Sequence, residues 1–231
     1  MNTAAKKLKI AIIGGHCETT PGIKHAIIIG TAVGVTEKNH YVTSAGAKSG
    51  DALILTKGVG LEGTAILATD RQGLLESHLD KTLLKRASDL FSHISVVEDA
   101  VLAFEKGGVT AMHDPTEGGV AGGIYEIADS SNLGVEVLET KMPILNETIE
   151  ICKFFRIDPM QLISSGALLI AAKKGFAEGI VEILEKSGIE AAIIGKFLKE
   201  QGKRVLVRKN GKREPLVQPS SDHLWKALKQ D

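Results

Sequence analysis

The sequence predicts an α/β fold of the α+β kind, a mixed sheet flanked by helices, preceded by a small strand-rich piece. From Glu62 onward helical and extended periodicities alternate, and the first 50 residues are β-biased with almost no helical pattern. Lys209-Asn210-Gly211-Lys212 has the composition of a turn closing a last hairpin. The 231 residues, 43% of them hydrophobic, suffice for one large core or for one full domain beside a smaller one, which excludes a disordered chain.

Taken in order, Leu8 to Ile13, Ala26 to Val35 and Ala52 to Leu55 read as strands, each bounded by glycine, proline or small polar residues, and Glu37 to His40 turns the second back toward Tyr41 to Thr43. Helices are expected at 62–69, 72–77, 80–91, 96–106, 117–131, 146–156, 175–187 and 222–229. Strands are expected between them at 109–112, 134–138, 167–172, 190–195 and 204–208. Apolar spacing at Leu74, Leu75, Leu79, Leu83, Leu84, Leu90 and Phe91 predicts an amphipathic helix pair packed on the sheet. The boundary is placed between residues 1–50 and 51–231. The first piece is too small to bury both faces of a sheet and implies a partner surface.

Charge narrows the function classes. Lys and Arg number 28 and Asp and Glu number 28, so no long-range field draws the chain to nucleic acid or to an anionic membrane surface. No apolar run approaches the ~20 residues of a membrane span, and no signal peptide is read at the start. Cys17 and Cys152 stand apart with no zinc spacing around them, which fits a reducing, cytoplasmic setting.

Three loops carry candidate chemistry. Lys57-Gly58-Val59-Gly60-Leu61-Glu62-Gly63 has the GxGxxG form, but the second strand and its acidic residue about twenty positions on are missing, because 72–91 is helical. A dinucleotide site is therefore rejected, while amides around Gly58 and Gly60 remain candidates to hold an anion, against a plain tight strand-to-helix turn. His113-Asp114-Pro115-Thr116-Glu117-Gly118-Gly119 reads as a helix start, with Asp114 as N-cap, Pro115 at the first helical position and Glu117 closing a capping box. Gly118, Gly119, Gly122 and Gly123 each cost the helix about 1 kcal/mol relative to Ala, which argues for close approach of a substrate, a phosphate or another backbone. Gly14-Gly15-His16-Cys17-Glu18-Thr19-Thr20-Pro21-Gly22 gathers polar side chains at a strand end, where His16 and Glu18 are candidate metal ligands.

In this order the loops resemble the AIR synthase-like (PurM-like) superfamily, and most closely its hydrogenase-maturation branch, HypE. The GGHCETTPG loop is similar to the family's GG-x5-PG loop, GAKSGDALILTKGVGLEGTAIL to its inter-domain segment, and MHDPTEGG to the helix start of its carboxy-terminal domain. Phe155 to Leu162 and Ser165 to Leu169 are similar to its DP-x-x-L…G-x-L segment. The resemblance implies a carboxy-terminal AIR synthase-like domain preceded by a few strands of a truncated amino-terminal ATP-binding domain. ATP and Mg2+ are the implied cofactors. Gly14 and Gly15 would meet phosphate and metal, and Asp114, Thr116, Gly118 and Gly119 would line the cleft around a small phosphorylated ligand. It also implies a homodimer, or a complementary chain, joined through the amino-terminal strands, and ATP-dependent phosphoryl transfer to an oxygen. The alternative is a non-catalytic assembly or ligand-sensing module that completes its site with another chain.

Overall fold

The computed structural model describes residues 1–230. Internal contacts divide the chain into Met1–His40 and a second unit beginning at Tyr41.

In the first unit, helix α1 (Asn2–Lys7) buries none of its residues. The strands expected at 8–13 and 26–35 are absent: no residue of 1–50 lies in a strand, and Ile13, Ile29 and Val33 are 94%, 88% and 88% exposed. A β-biased run becomes a strand only when a neighbour takes its N–H and C=O groups, and these runs find no such neighbour among themselves. The run at 41–43 is reduced to one bond, from the Met112 N–H to the Thr43 carbonyl at 3.3 Å.

In the second unit the sheet comprises β1 (Ala52–Thr56), β2 (Val109–His113), β3 (Gly134–Leu138), β4 (Leu169–Ala172), β5 (Ala191–Leu198), β6 (Arg204–Val207) and β7 (Arg213–Pro215), in the order β2-β4-β1-β5-β3-β6-β7. β3 and β6 run parallel and every other neighbouring pair is antiparallel, the mixed sheet that the periodicity predicts. The closing hairpin is present: β6 pairs with β7 from Val207 opposite Arg213, and the Arg208 N–H bonds the Lys212 carbonyl at 2.9 Å. β1 is buried at all five positions, as its unbroken ALILT run requires of a strand covered on both faces.

The helices are α2 (Leu61–Asp70), α3 (Gln72–Leu75), α4 (Lys81–Asp89), α5 (Val97–Lys106), α6 (Gly119–Ser130), α7 (Asn146–Phe155), α8 (Lys174–Lys186) and α9 (His223–Leu228). Leu53, Leu55, Ala111, Val135, Val137, Leu169 and Ala171 pack one sheet face against Val120, Ile124 and Ile127 of α6. Ile54, Ile170 and Ala172 pack the other face against Ala103 of α5 and Ala177, Ile180 and Leu184 of α8. A separate cluster joins α2, α3, α4, α7 and α9 around Leu67, Leu75, Leu83, Phe155, Leu162 and Leu224. Each fully buried Leu, Ile or Phe contributes about 1.5–3 kcal/mol, so these clusters dominate the stability of the unit. The Asp80 carboxylate starts α4 by accepting from the Thr82 and Leu83 amides. Arg156, at φ 52°, ends α7.

One helix start differs from expectation. α6 begins at Gly119 rather than 117, and its N-cap is Gly118, with no side-chain cap from Asp114. Gly118 and Gly119 sit at φ 80° and 63°, and two successive left-handed residues interrupt the helix that Pro115 would otherwise start.

Candidate functional site

β1 and β2 are both antiparallel to β4, so they run in the same direction and their carboxy-terminal ends open on one end of the sheet, where β4 begins. Residues 57–60 follow β1 and residues 114–118 follow β2, so the topology gathers two of the three candidate loops on that end.

The first loop is fastened by a buried ion pair. Lys57, at φ 57°, directs Nζ to Asp99 Oδ2 at 2.9 Å, to the Ser95 carbonyl at 2.8 Å and to the Gly166 carbonyl at 2.9 Å. These partners use all three ammonium hydrogens, so Lys57 holds the loop and is not a free cation for a ligand. Asp99, 1% exposed, also accepts from Thr56 Oγ1 at 2.7 Å. Two of the turn's amides, and that of Gly63 just inside α2, are occupied in the same way: Val59 N–H bonds the Pro143 carbonyl at 3.1 Å, Gly60 N–H bonds Ser164 Oγ at 2.9 Å and Gly63 N–H bonds the Ile163 carbonyl at 3.0 Å. Gly60 caps α2 at φ 70°. A Cβ on Gly58 would lie 3.3 Å from the Pro143 carbonyl oxygen, so at Gly58 and Gly60 the close approach is made by protein.

The second loop combines a held backbone with free side chains. The Gly118 N–H donates to Asp222 Oδ2 at 2.8 Å, and the Gly119 N–H donates to the Thr116 carbonyl at 3.0 Å. Asp222, 4% exposed, also accepts the Leu224 N–H at 2.7 Å and so caps α9. A Cβ on Gly119 would lie 2.5 Å from the Leu162 carbonyl oxygen, and one on Gly123 2.7 Å from Pro115 Cβ, so packing accounts for the glycines at these two positions. Asp114, Thr116 and Glu117 are exposed, and their side chains have no partner among the described residues. Behind them, His113 Nε2 lies 2.7 Å from Glu126 Oε2.

Beside these loops the DP segment forms a short 3-10 helix, Pro159–Gln161, started by Asp158. The Asp158 N–H donates to His223 Nδ1 at 3.0 Å. Cys152 lies in the apolar cluster below, where burial, with the Asp158 charge, pushes its thiol up to about 12. It is not a nucleophile.

Gly14, Gly15, His16 and Glu18 belong to the first unit. Nothing lies within 4 Å of a Cβ built on Gly14 or Gly15, and His16 Nε2 stands 3.6 Å from Glu18 Oε2 with both side chains largely exposed. Among the described residues no group of three or more His, Cys, Asp or Glu could hold a metal ion.

Asp99, Glu126, Ser164 and Asp222 were not singled out by the sequence. Asp222 carries the local signal of an N-cap before a helix, but its bond to Gly118 spans 104 positions and no local pattern encodes it.

Residues 48–208 match the family model described as AIR synthase related protein, C-terminal domain. The chain is 32% identical over 203 residues to a protein of Methanocaldococcus jannaschii named for hydrogenase expression and formation, covering 87% of this chain and 58% of that relative. The crystal structure of Escherichia coli HypE, a hydrogenase maturation protein, superposes with a TM-score of 0.69 at 23% identity, covering 84% of this chain and 57% of that one. A HypE structure in complex with ATP does so with a TM-score of 0.61 at 22% identity, over 80% and 55% of the two chains. The chain thus spans less than two thirds of the length of these proteins. With the family model matched over most of the chain, and the mixed sheet and its helices present as that family's fold requires, the chain belongs to the AIR synthase-related family.

Proposed function

We propose that this chain supplies the acceptor side of an ATP-dependent phosphoryl-transfer site, in a maturation or biosynthetic reaction of the kind its HypE relatives are named for. The observation that carries the reading is the 114–118 loop: its backbone is held through Gly118 and Gly119 while Asp114, Thr116 and Glu117 stand exposed and unpaired. A rigid loop bearing carboxylates and a hydroxyl suits a substrate with O–H or N–H groups, or a cation that bridges to phosphate. Mg2+ is commonly bound through one or two carboxylates plus phosphate oxygens, and Asp114 fits as one such carboxylate; bound there, the ion would neutralise charge on the transferring phosphoryl group.

The amides of Val59, Gly60, Gly118 and Gly119 already have protein acceptors, so the 114–118 loop is assigned to the acceptor and the cation through its side chains. Gly14 and Gly15, with His16 and Glu18, remain candidate phosphate and metal residues of the first unit by itself. The rest of the site comes from a second copy or a complementary chain, and the setting is the cytoplasm.

A second reading is favoured by one observation. Ile13, Ile29, Val33 and Val35 of the first unit are exposed and lie outside any helix or strand, as in an assembly module whose β-biased runs pair with another sheet edge.

Calorimetric titration of the purified chain with ATP and Mg2+ separates the two. Micromolar binding that weakens tenfold or more in Asp114→Asn with Thr116→Ala supports the first reading. Binding indifferent to that pair removes the loop from the site, and no binding by the folded protein selects the assembly module.

A further inference from the structure

A cleft of about 380 Å³ lies between α2, α3 and α4, and no residue of the 57–60 or 114–118 loops lines it. Its size falls among small-molecule sites, which run from about 300 to 1,000 Å³. The α4 wall is a single stripe, Lys81, Leu84, Lys85 and Ser88, at the spacing that places side chains on one helix face. Ala68 and Leu84, 2% and 5% exposed, form an apolar base, which the methylene stems of the two lysines extend.

The polar groups of the walls are opposite in sign. On α3 the Gln72 amide donates to Glu76 Oε1 at 2.6 Å and leaves Oε2 without a donor among the described residues. No backbone donor reaches the carbonyls of Ala68 and Thr69 in the last turn of α2, the negative end of that helix. On α4, Lys85 Nζ is drawn to Asp89 at 3.1 Å, whereas Lys81 Nζ has no partner among the described residues. Both hydroxyls donate to the protein, Thr69 Oγ1 to the Ala65 carbonyl and Ser88 Oγ to the Lys85 carbonyl, each at 2.8 Å, so an anionic group in the cleft is met by lysine. Glu76 and Lys81 line the same space without pairing with each other. A singly charged occupant would answer one of them and leave the other. We propose that this cleft binds a small apolar α-amino acid as its zwitterion, the ammonium against Glu76 and the end of α2, the carboxylate on Lys81 and the side chain over Ala68 and Leu84. The site stands independently of the phosphoryl-transfer reading.

The test titrates the 15N-labelled full chain with L-leucine and follows the backbone amides by NMR. Amides of residues 68–88 should shift and saturate, with a Kd on the order of 1 mM. N-acetyl-L-leucine lacks the ammonium and L-leucinamide lacks the carboxylate, and each should bind about tenfold more weakly, the loss of one hydrogen bond to a charged group. Lys81→Met and Glu76→Gln alter exposed side chains, so they should leave the melting temperature unchanged while weakening leucine by a similar factor. Ser88→Phe should fill the cleft and abolish the shifts. Shifts that never saturate, shifts centred outside residues 68–88, equal affinity for the singly charged analogues, or unchanged leucine binding in the Lys81 and Glu76 variants would each overturn the proposal.

Discussion

Asp222→Ala tests the tie that holds the candidate loop. The carboxylate is 4% exposed and accepts two amides, Gly118 N–H at 2.8 Å and Leu224 N–H at 2.7 Å. Losing the cap on α9 costs about 1 kcal/mol. Leaving the buried Gly118 amide without an acceptor costs about 2 kcal/mol more. The sum is about 3 kcal/mol, which at about 3 °C per kcal/mol for a unit of this size lowers the melting temperature by about 9 °C. Thermal unfolding followed by circular dichroism measures the shift, and hydrogen exchange measures protection of the Gly118 amide. A loss of stability below about 0.5 kcal/mol, the range of ordinary surface substitutions, or unchanged Gly118 protection, would refute the claim that Asp222 organises the 114–118 loop.

Two further outcomes follow from the electrostatics. At pH 8 a thiol reagent should modify Cys17, which is exposed, and leave Cys152, 2% exposed with its thiol pushed up to about 12, unreacted until the protein unfolds; two fast thiols counted by mass spectrometry would contradict this. Glu214 is held down to about 2 from its ordinary 4.5, first by the Lys212 ammonium and then by the Arg208 guanidinium. A carboxyl with a lowered folded value stabilises the fold above its unfolded value and loses that contribution as pH falls from about 4.5 toward 2. Glu214→Gln should therefore flatten the acid side of the stability curve, and an unchanged acid limb in urea titrations would remove the contribution assigned to this pair.

Much of the second unit was legible in the residues. Period-two and period-3.6 apolar patterns located β1 to β6 and most of the helices to within a few positions, because burial of one face enforces those periods wherever a sheet and its helices share a core. The errors have physical causes. Pro115 and Asp114 make a sound local helix start, yet Gly118 and Gly119 adopt left-handed backbone, and Gly119 lies against the carbonyls of Met160 and Leu162, a constraint from outside the local sequence. The β-biased runs before residue 40 carry the propensity of strands but lack a neighbour to pair with.

The candidate site divides along the same line. The sequence alone determined the family, the alternation of helix and strand, and the loop that carries Asp114, Thr116 and Glu117, since motif order and apolar period are properties of the chain itself. Only the tertiary structure decided that Lys57 is spent on Asp99, that Asp222 takes the amide at the start of α6, and that Glu126 faces His113. Each of these is one polar group meeting another across 13 to 104 positions. Such a contact leaves no periodic trace, because it satisfies a single donor or acceptor and not a repeating face.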